Sequence, residues 1–157
     1  MSAYAHQIES YLAGVQTLRD AIEGMSSDQL KARPIAGKWS TQEVVCHLAD
    51  FDPILADRMK RVISHDNPAL LGADENLFAA TLAYHDRNVE EELNLIESTR
   101  RQMAAILRRL PDAAFQRVGT HNERGPISLE KWLTIAAKHI PHHVQFITEK
   151  RRALGLK

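Results

Sequence analysis

Four stretches of the 157-residue chain repeat apolar residues every three or four positions, and this period restricts the chain to a helical architecture. In the first, Ile8, Leu12, Val15, Leu18 and Ile22 define one face of a helix over about residues 3–24. The second carries Val44, His47, Leu48, Phe51, Leu55, Met59 and Val62 on its face and has the clearest start in the chain. There Ser40-Thr41-Gln42-Glu43 reads as a capping box, in which the Ser40 hydroxyl accepts the Glu43 amide proton and the Glu43 side chain accepts that of Ser40. Trp39 and Val44 flank the box as a hydrophobic staple. Pro53 deletes one hydrogen bond, to the Ala49 carbonyl, and predicts a bend rather than a stop.

The third stretch, capped by Asp74 and ended by Pro111, reads Phe78, Leu82, His85, Val89, Leu93, Ile96, Met103, Leu107 and Leu110, which predicts one long helix. The fourth starts at Ser128 and runs through Trp132, Ile135, Ala136, His139, His143 and Ile147 towards Leu154, with Gly155 as its stop and Pro141 as a predicted kink. The connectors, residues 26–38, 64–73 and 112–127, hold most of the glycine and proline, and the first has room for one helical turn. No segment alternates apolar and polar residues for long enough to predict a strand, and no internal repeat is present. The expectation is an all-α four-helix bundle, a single domain over residues 1–157.

Composition narrows the function classes. Cys46 is the single cysteine, which excludes an intrachain disulfide and a cysteine-based zinc site and points to a reducing, cytoplasmic setting. Twenty basic against twenty acidic side chains leave no basic excess for a nucleic-acid partner. No run of about 18 apolar residues exists, and residues 1–16 lack the pattern of a signal peptide, so neither a membrane span nor export is expected. A bundle of this size can pair through an exposed apolar helix face, which makes a homodimer an expectation.

The compositional bias is histidine: eight in all, with His139, His142 and His143 close together. Residues 139 and 143 are about 40° apart around a helix and about 6 Å apart along it, so both imidazoles can reach one ion. His142 offers an alternative at the i+3 position. A third ligand must come from elsewhere, and His47 lies on the apolar face of the second helix, where a polar ring is costly to bury unpaired. Three imidazoles leave a fourth tetrahedral position open, the pattern of a catalytic rather than a structural site. Imidazole donors favour zinc or nickel among divalent ions. The chain lacks His-Glu-x-x-His, a phosphate loop, a dinucleotide fingerprint and a Gly-x-Ser-x-Gly elbow.

Around this constellation the candidates for proton transfer are Asp50, one turn after His47, and His121, in a connector that can reach a cleft at the end of the bundle. Asp50 can equally be a fourth ligand, an acceptor behind a ligand or a solvated carboxylate. His85 reads as a hydrogen-bonded core residue, and Cys46 points about 100° away from His47 on a helix and reads as packing. Arg58, Arg87 and Arg100 lie near apolar faces, where they either pair with carboxylates or bind a substrate anion.

The segment Gly37-Lys38-Trp39-Ser40-Thr41-Gln42-Glu43-Val44-Val45-Cys46-His47-Leu48-Ala49-Asp50 resembles the W-S … E-V-x-x-H-L signature of the DinB/YfiT-like metal-binding bundles. Asn67-Pro68-Ala69-Leu70 with Asp74-Glu75-Asn76 resembles their second loop, and His121 … Gly125 … Ser128-Leu129 with His139-Ile140-Pro141-His142-His143 resembles their C-terminal signature, often H-D-x-H-H. The resemblance spans nearly the whole chain. It implies that His47, His139 and His143 are the metal ligands and that His142 is not. The family's aspartate after the first C-terminal histidine is Ile140 here, followed by Pro141, so a hydrogen bond that would tune the site is missing. For function the resemblance implies a metal-dependent hydrolase or a low-molecular-weight-thiol S-transferase acting on a small molecule. The alternative is a stress-response module that binds metal or a small ligand without turnover.

Overall fold

The computed structural model describes residues 2–156, and its architecture rests on four long helices: α1 (Ala5–Ile22), α3 (Thr41–Ser64), α5 (Val89–Leu107) and α6 (Leu129–Ala153). The short helices α2 (Ser27–Lys31) and α4 (Glu75–Thr81) lie in the connectors. In the bundle α1 packs against α5 and α6, and α3 against the same two helices. No described helix is long and apolar enough to cross a membrane.

The start of α3 follows from its sequence. Ser40 Oγ accepts the Glu43 amide at 3.0 Å and Glu43 Oε2 accepts the Ser40 amide at 2.6 Å, both within buried surroundings. Ser40→Ala is expected to cost about 0.5–2 kcal/mol of stability. A chemical-denaturation midpoint equal to that of the wild type would show that the hydroxyl does not cap this helix. Both internal prolines are accommodated without a break: α3 continues through Pro53 and α6 through Pro141.

Two expectations are corrected. The long third helix is two helices, because Ala83 takes a left-handed conformation at φ 51° and the chain turns through Tyr84–Asp86 before restarting. Asn88 makes the new start: its Oδ1 accepts the amides of Glu90 and Glu91, and Glu90, Glu91 and Glu92 place negative charge at the positive helix end. Asp74 caps only α4. His85 therefore leaves the core: on the turn its Nε2 lies 3.0 Å from Arg33 Nη2 and 3.2 Å from Glu43 Oε1.

The second correction is a small sheet. β1 (Ala69–Leu70) runs parallel to β2 (Val118–His121), which pairs antiparallel with β3 (Gly125–Ser128). Gly119 lets β2 lie close to its neighbours, since a Cβ there would approach Leu70 Cδ1 and Val62 Cγ2 to 2.9 Å. The sheet carries His121 to the end of the bundle, buried at the strand's last position.

The core is divided into two clusters. One contains Ile8, Tyr11, Leu55, Met59, Met103, Leu107, Phe115, Trp132 and Leu133; the other contains Val15, Leu18, Val44, Leu48, Leu93, Ile96, Ile140 and Ile147. Between them along the helices lies a buried ion pair, Asp52 of α3 with Arg100 of α5.

Candidate metal centre

His47 is carried by the first turns of α3 and is wholly buried, while His139 and His143 project from successive turns of α6. His47 Nε2 lies 3.2 Å from His139 Nε2 and 3.2 Å from His143 Nε2, and a ligand atom of each of the three lies within 4.8 Å of the others. Two nitrogens bound to one ion at about 2.1 Å and separated by a tetrahedral angle would be about 3.4 Å apart, so the observed spacing fits a shared ion. Trp39 and Phe51 flank the His47 ring at centroid distances of 5.2 and 4.6 Å, and Phe146 stands 5.8 Å from His143. His142 is exposed and outside the cluster, its ring edge-on to His143.

Chemistry supports the same reading. Burial and the neighbouring His143 hold His47 down to about pKa 3; burial, with nearby His142, holds His143 down to about 4; and burial depresses His139 as well. All three rings are thus neutral at pH 7, with one nitrogen of each bearing a lone pair. Three nitrogens at this spacing cannot all satisfy one another, since a single proton bridges only one pair. A cation accepts all three lone pairs. The three Nδ1 atoms are buried with no hydrogen-bond partner among the described residues. Metal-bound histidines usually donate this proton to a carboxylate or carbonyl. Its lack agrees with Ile140, a core side chain, standing where the resemblance expected an aspartate.

The remaining candidates separate clearly. Asp50 is engaged on both oxygens by Arg87, at 3.0 and 2.8 Å, and Arg87 also holds Glu92. His121 lines a cleft of about 150 Å³ together with His47 and His139. Its Nδ1 accepts the Glu123 amide at 3.2 Å, which places the proton of the neutral ring on Nε2, and burial with the nearby Arg58 lowers its pKa. Cys46 is buried, donates to the Tyr84 carbonyl at 3.4 Å and has its thiol pushed up to about 12 by burial, so it packs rather than reacts. Glu75, the first residue of α4, was missed as a site residue: its Oε2 lies 3.8 Å from His47 Nε2. Its one sequence signal was membership of the segment Asp74-Glu75-Asn76.

The family model of the DinB superfamily matches residues 12–147, a span that includes all three clustered histidines. The chain belongs to the DinB superfamily. Among its relatives, a protein of Oceanobacillus iheyensis named "Putative metal-dependent hydrolase OB0782" is 31% identical over 131 residues, covering 83% of this chain and 76% of that protein. YfiT of Bacillus subtilis, named likewise, is 30% identical over 139 residues, 88% of this chain and 78% of its own length. The crystallographic description of YfiT is of a probable metal-dependent hydrolase with an unusual four-helix bundle topology. Its structure superposes with a TM-score of 0.90 at 28% identity, covering 97% of this chain and 87% of that one. A second DinB-like protein of Bacillus subtilis, at 18% identity and a TM-score of 0.65 over 97% of this chain and 94% of its own, shares the fold.

Proposed function

We propose that this DinB-superfamily chain is a metal-dependent enzyme in which His47, His139 and His143 hold one divalent ion, zinc or nickel, beside a cleft for a small-molecule substrate. The observation that carries the reading is the convergence of three imidazoles, with His47 Nε2 at 3.2 Å from both His139 Nε2 and His143 Nε2, where His47 and His139 reach the wall of a cleft. An ion held by three imidazoles supplies a Lewis acid with an open position, which makes water or a thiol nucleophilic near neutral pH. Water gives hydrolysis, as the relatives' names suggest; a low-molecular-weight thiol gives S-transfer.

The chain's own residues supply the rest. His121 is the better placed of the two groups expected to move a proton, because it lines the cleft while both oxygens of Asp50 are held by Arg87. Asp50 holds Arg87 and with it the turn before α5, which fixes the helix carrying His47 against its neighbour. Phe51, Leu55, Trp132 and Ile135 give the cleft apolar walls that limit water around the reacting atoms.

The test is a panel of esters and thiol-conjugation substrates on metal-loaded protein and on a chelated control. Turnover is expected only with metal, and His121→Gln should lower it by roughly 100-fold without loss of bound metal. Stoichiometric metal with no turnover over the whole panel would sink the enzyme reading in favour of a binding module.

A further inference from the structure

Three arginines lie within or against the core, and the structure treats them differently. Arg100 is paired with Asp52, and Arg87 with Asp50 and Glu92. Arg58 of α3 is 8% exposed and makes no ion pair among the described residues. Its Nη2 donates to the Leu71 carbonyl at 2.6 Å, its guanidinium lies 5.0 Å from the Trp132 ring centroid, and its Nε is buried without an acceptor. A buried cation without a directly bonded carboxylate is costly, and a fold that pairs two of its arginines leaves this one with only the more distant charges of Glu123 and Asp57.

The location of Arg58 gives that omission a meaning. It lines the same cleft as His47, His139 and His121. It also borders a second cleft, lined by Asp57, Arg61 and Leu71, which does not reach the histidines. The first cleft is also lined by Arg124 and by His121, whose Nε2 is left as a donor because Nδ1 accepts the Glu123 amide. Gly72 closes one side, with the Glu123 carboxylate packed where a Cβ would stand, 2.8 Å away.

We propose that Arg58, with His121, forms an anion subsite beside the three histidines that takes a carboxylate group of the substrate. A guanidinium fork and a nearby N–H match the two oxygens of a carboxylate. Glu75 and Glu123 line the same cleft and offset Arg58 and Arg124, so the lining has no cationic surplus to hold two charges concentrated on one phosphate group. At about 150 Å³ the cleft has room for a short carboxylate arm and not for a large ligand. The substrate class is then a small carboxylic acid whose reacting atom reaches the histidines while its carboxylate rests on Arg58. The proposal depends on the metal-enzyme reading for its place in a reaction, and not for the binding itself.

The experiment measures binding to metal-free protein by NMR, following the Trp132 indole and Arg58 Nε–H signals during titration with glutarate. Glutaramide is the neutral control, and inorganic phosphate is the control whose charge is concentrated on a single group. Saturable glutarate binding is expected in the wild type and in His139→Ala, with weak or no binding of the two controls. Arg58→Gln should weaken glutarate binding at least about tenfold, and Arg58→Lys, which keeps the charge but loses the fork, should weaken it less. Equal affinity in wild type and Arg58→Gln, phosphate binding tighter than glutarate, or no saturable shift in the folded wild type would each overturn the subsite. If His139→Ala binds glutarate as the wild type does while the wild type binds no metal, the metal reading fails and the subsite stands.

Discussion

Asp52→Ala is expected to destabilise the protein by about 3–5 kcal/mol, a large part of the stability of a typical domain. Asp52 and Arg100 are both fully buried, joined by bonds of 2.6 and 2.7 Å. Arg100 also donates to the carbonyls of Tyr11 at 2.6 Å and Ala136 at 3.1 Å, and its guanidinium covers the Tyr11 ring. One side chain therefore ties together α1, α3, α5 and α6. Gly14 makes room for it, because a Cβ there would lie 2.6 Å from Arg100 Nη1. Removing the carboxylate strands a buried cation, whereas removing both charges does not. The double variant Asp52→Leu/Arg100→Met should thus lose less stability than Asp52→Ala alone. Urea denaturation of the three proteins checks this, and an Asp52→Ala loss below about 1 kcal/mol would remove the pair from any central role in the bundle.

The second large effect concerns metal. His139→Ala is expected to abolish stoichiometric binding of a divalent ion, while His142→Ala retains it. His139 supplies one of the three converging nitrogens, and His142 points its ring edge at His143 from outside the cluster. Two imidazoles and water hold an ion far more weakly than three. Elemental analysis of both variants after gel filtration is the measurement. Full occupancy in His139→Ala would take that residue out of the ligand set, and loss in His142→Ala would bring the neighbouring ring into it.

The helices were legible where periodicity and capping agreed. Ser40 with Glu43, and Ser128 at the start of α6, mark helix starts through side-chain bonds that need no tertiary context. The third helix was misread because apolar spacing carries across a gap: Phe78, Leu82, His85 and Val89 keep a helical interval although the chain turns at Ala83. Asn88 followed by three glutamates was the overlooked restart signal. The strands, of two and four residues, are too short for alternation to register.

Of the site, the histidine cluster could be read because His139 and His143 share a helix face and His47 stood out on an apolar one. The partners of the arginines could not, since pairing is a tertiary property. Asp52 carried a faint signal, one turn after Leu48 on the buried side of α3, as Arg100 is one turn after Ile96. Glu75 comes within 3.8 Å of His47 only through the turn that follows β1 and starts α4.

The most direct test of the three-histidine centre is metal-edge X-ray absorption, with elemental analysis, on wild-type protein purified without an affinity tag. The expected result is about one zinc or nickel ion per chain, with a first coordination sphere dominated by three imidazole nitrogens at about 2.0–2.1 Å. Protein that holds no stoichiometric divalent ion after equilibration with zinc and nickel, or an ion whose sphere lacks imidazole, would contradict it.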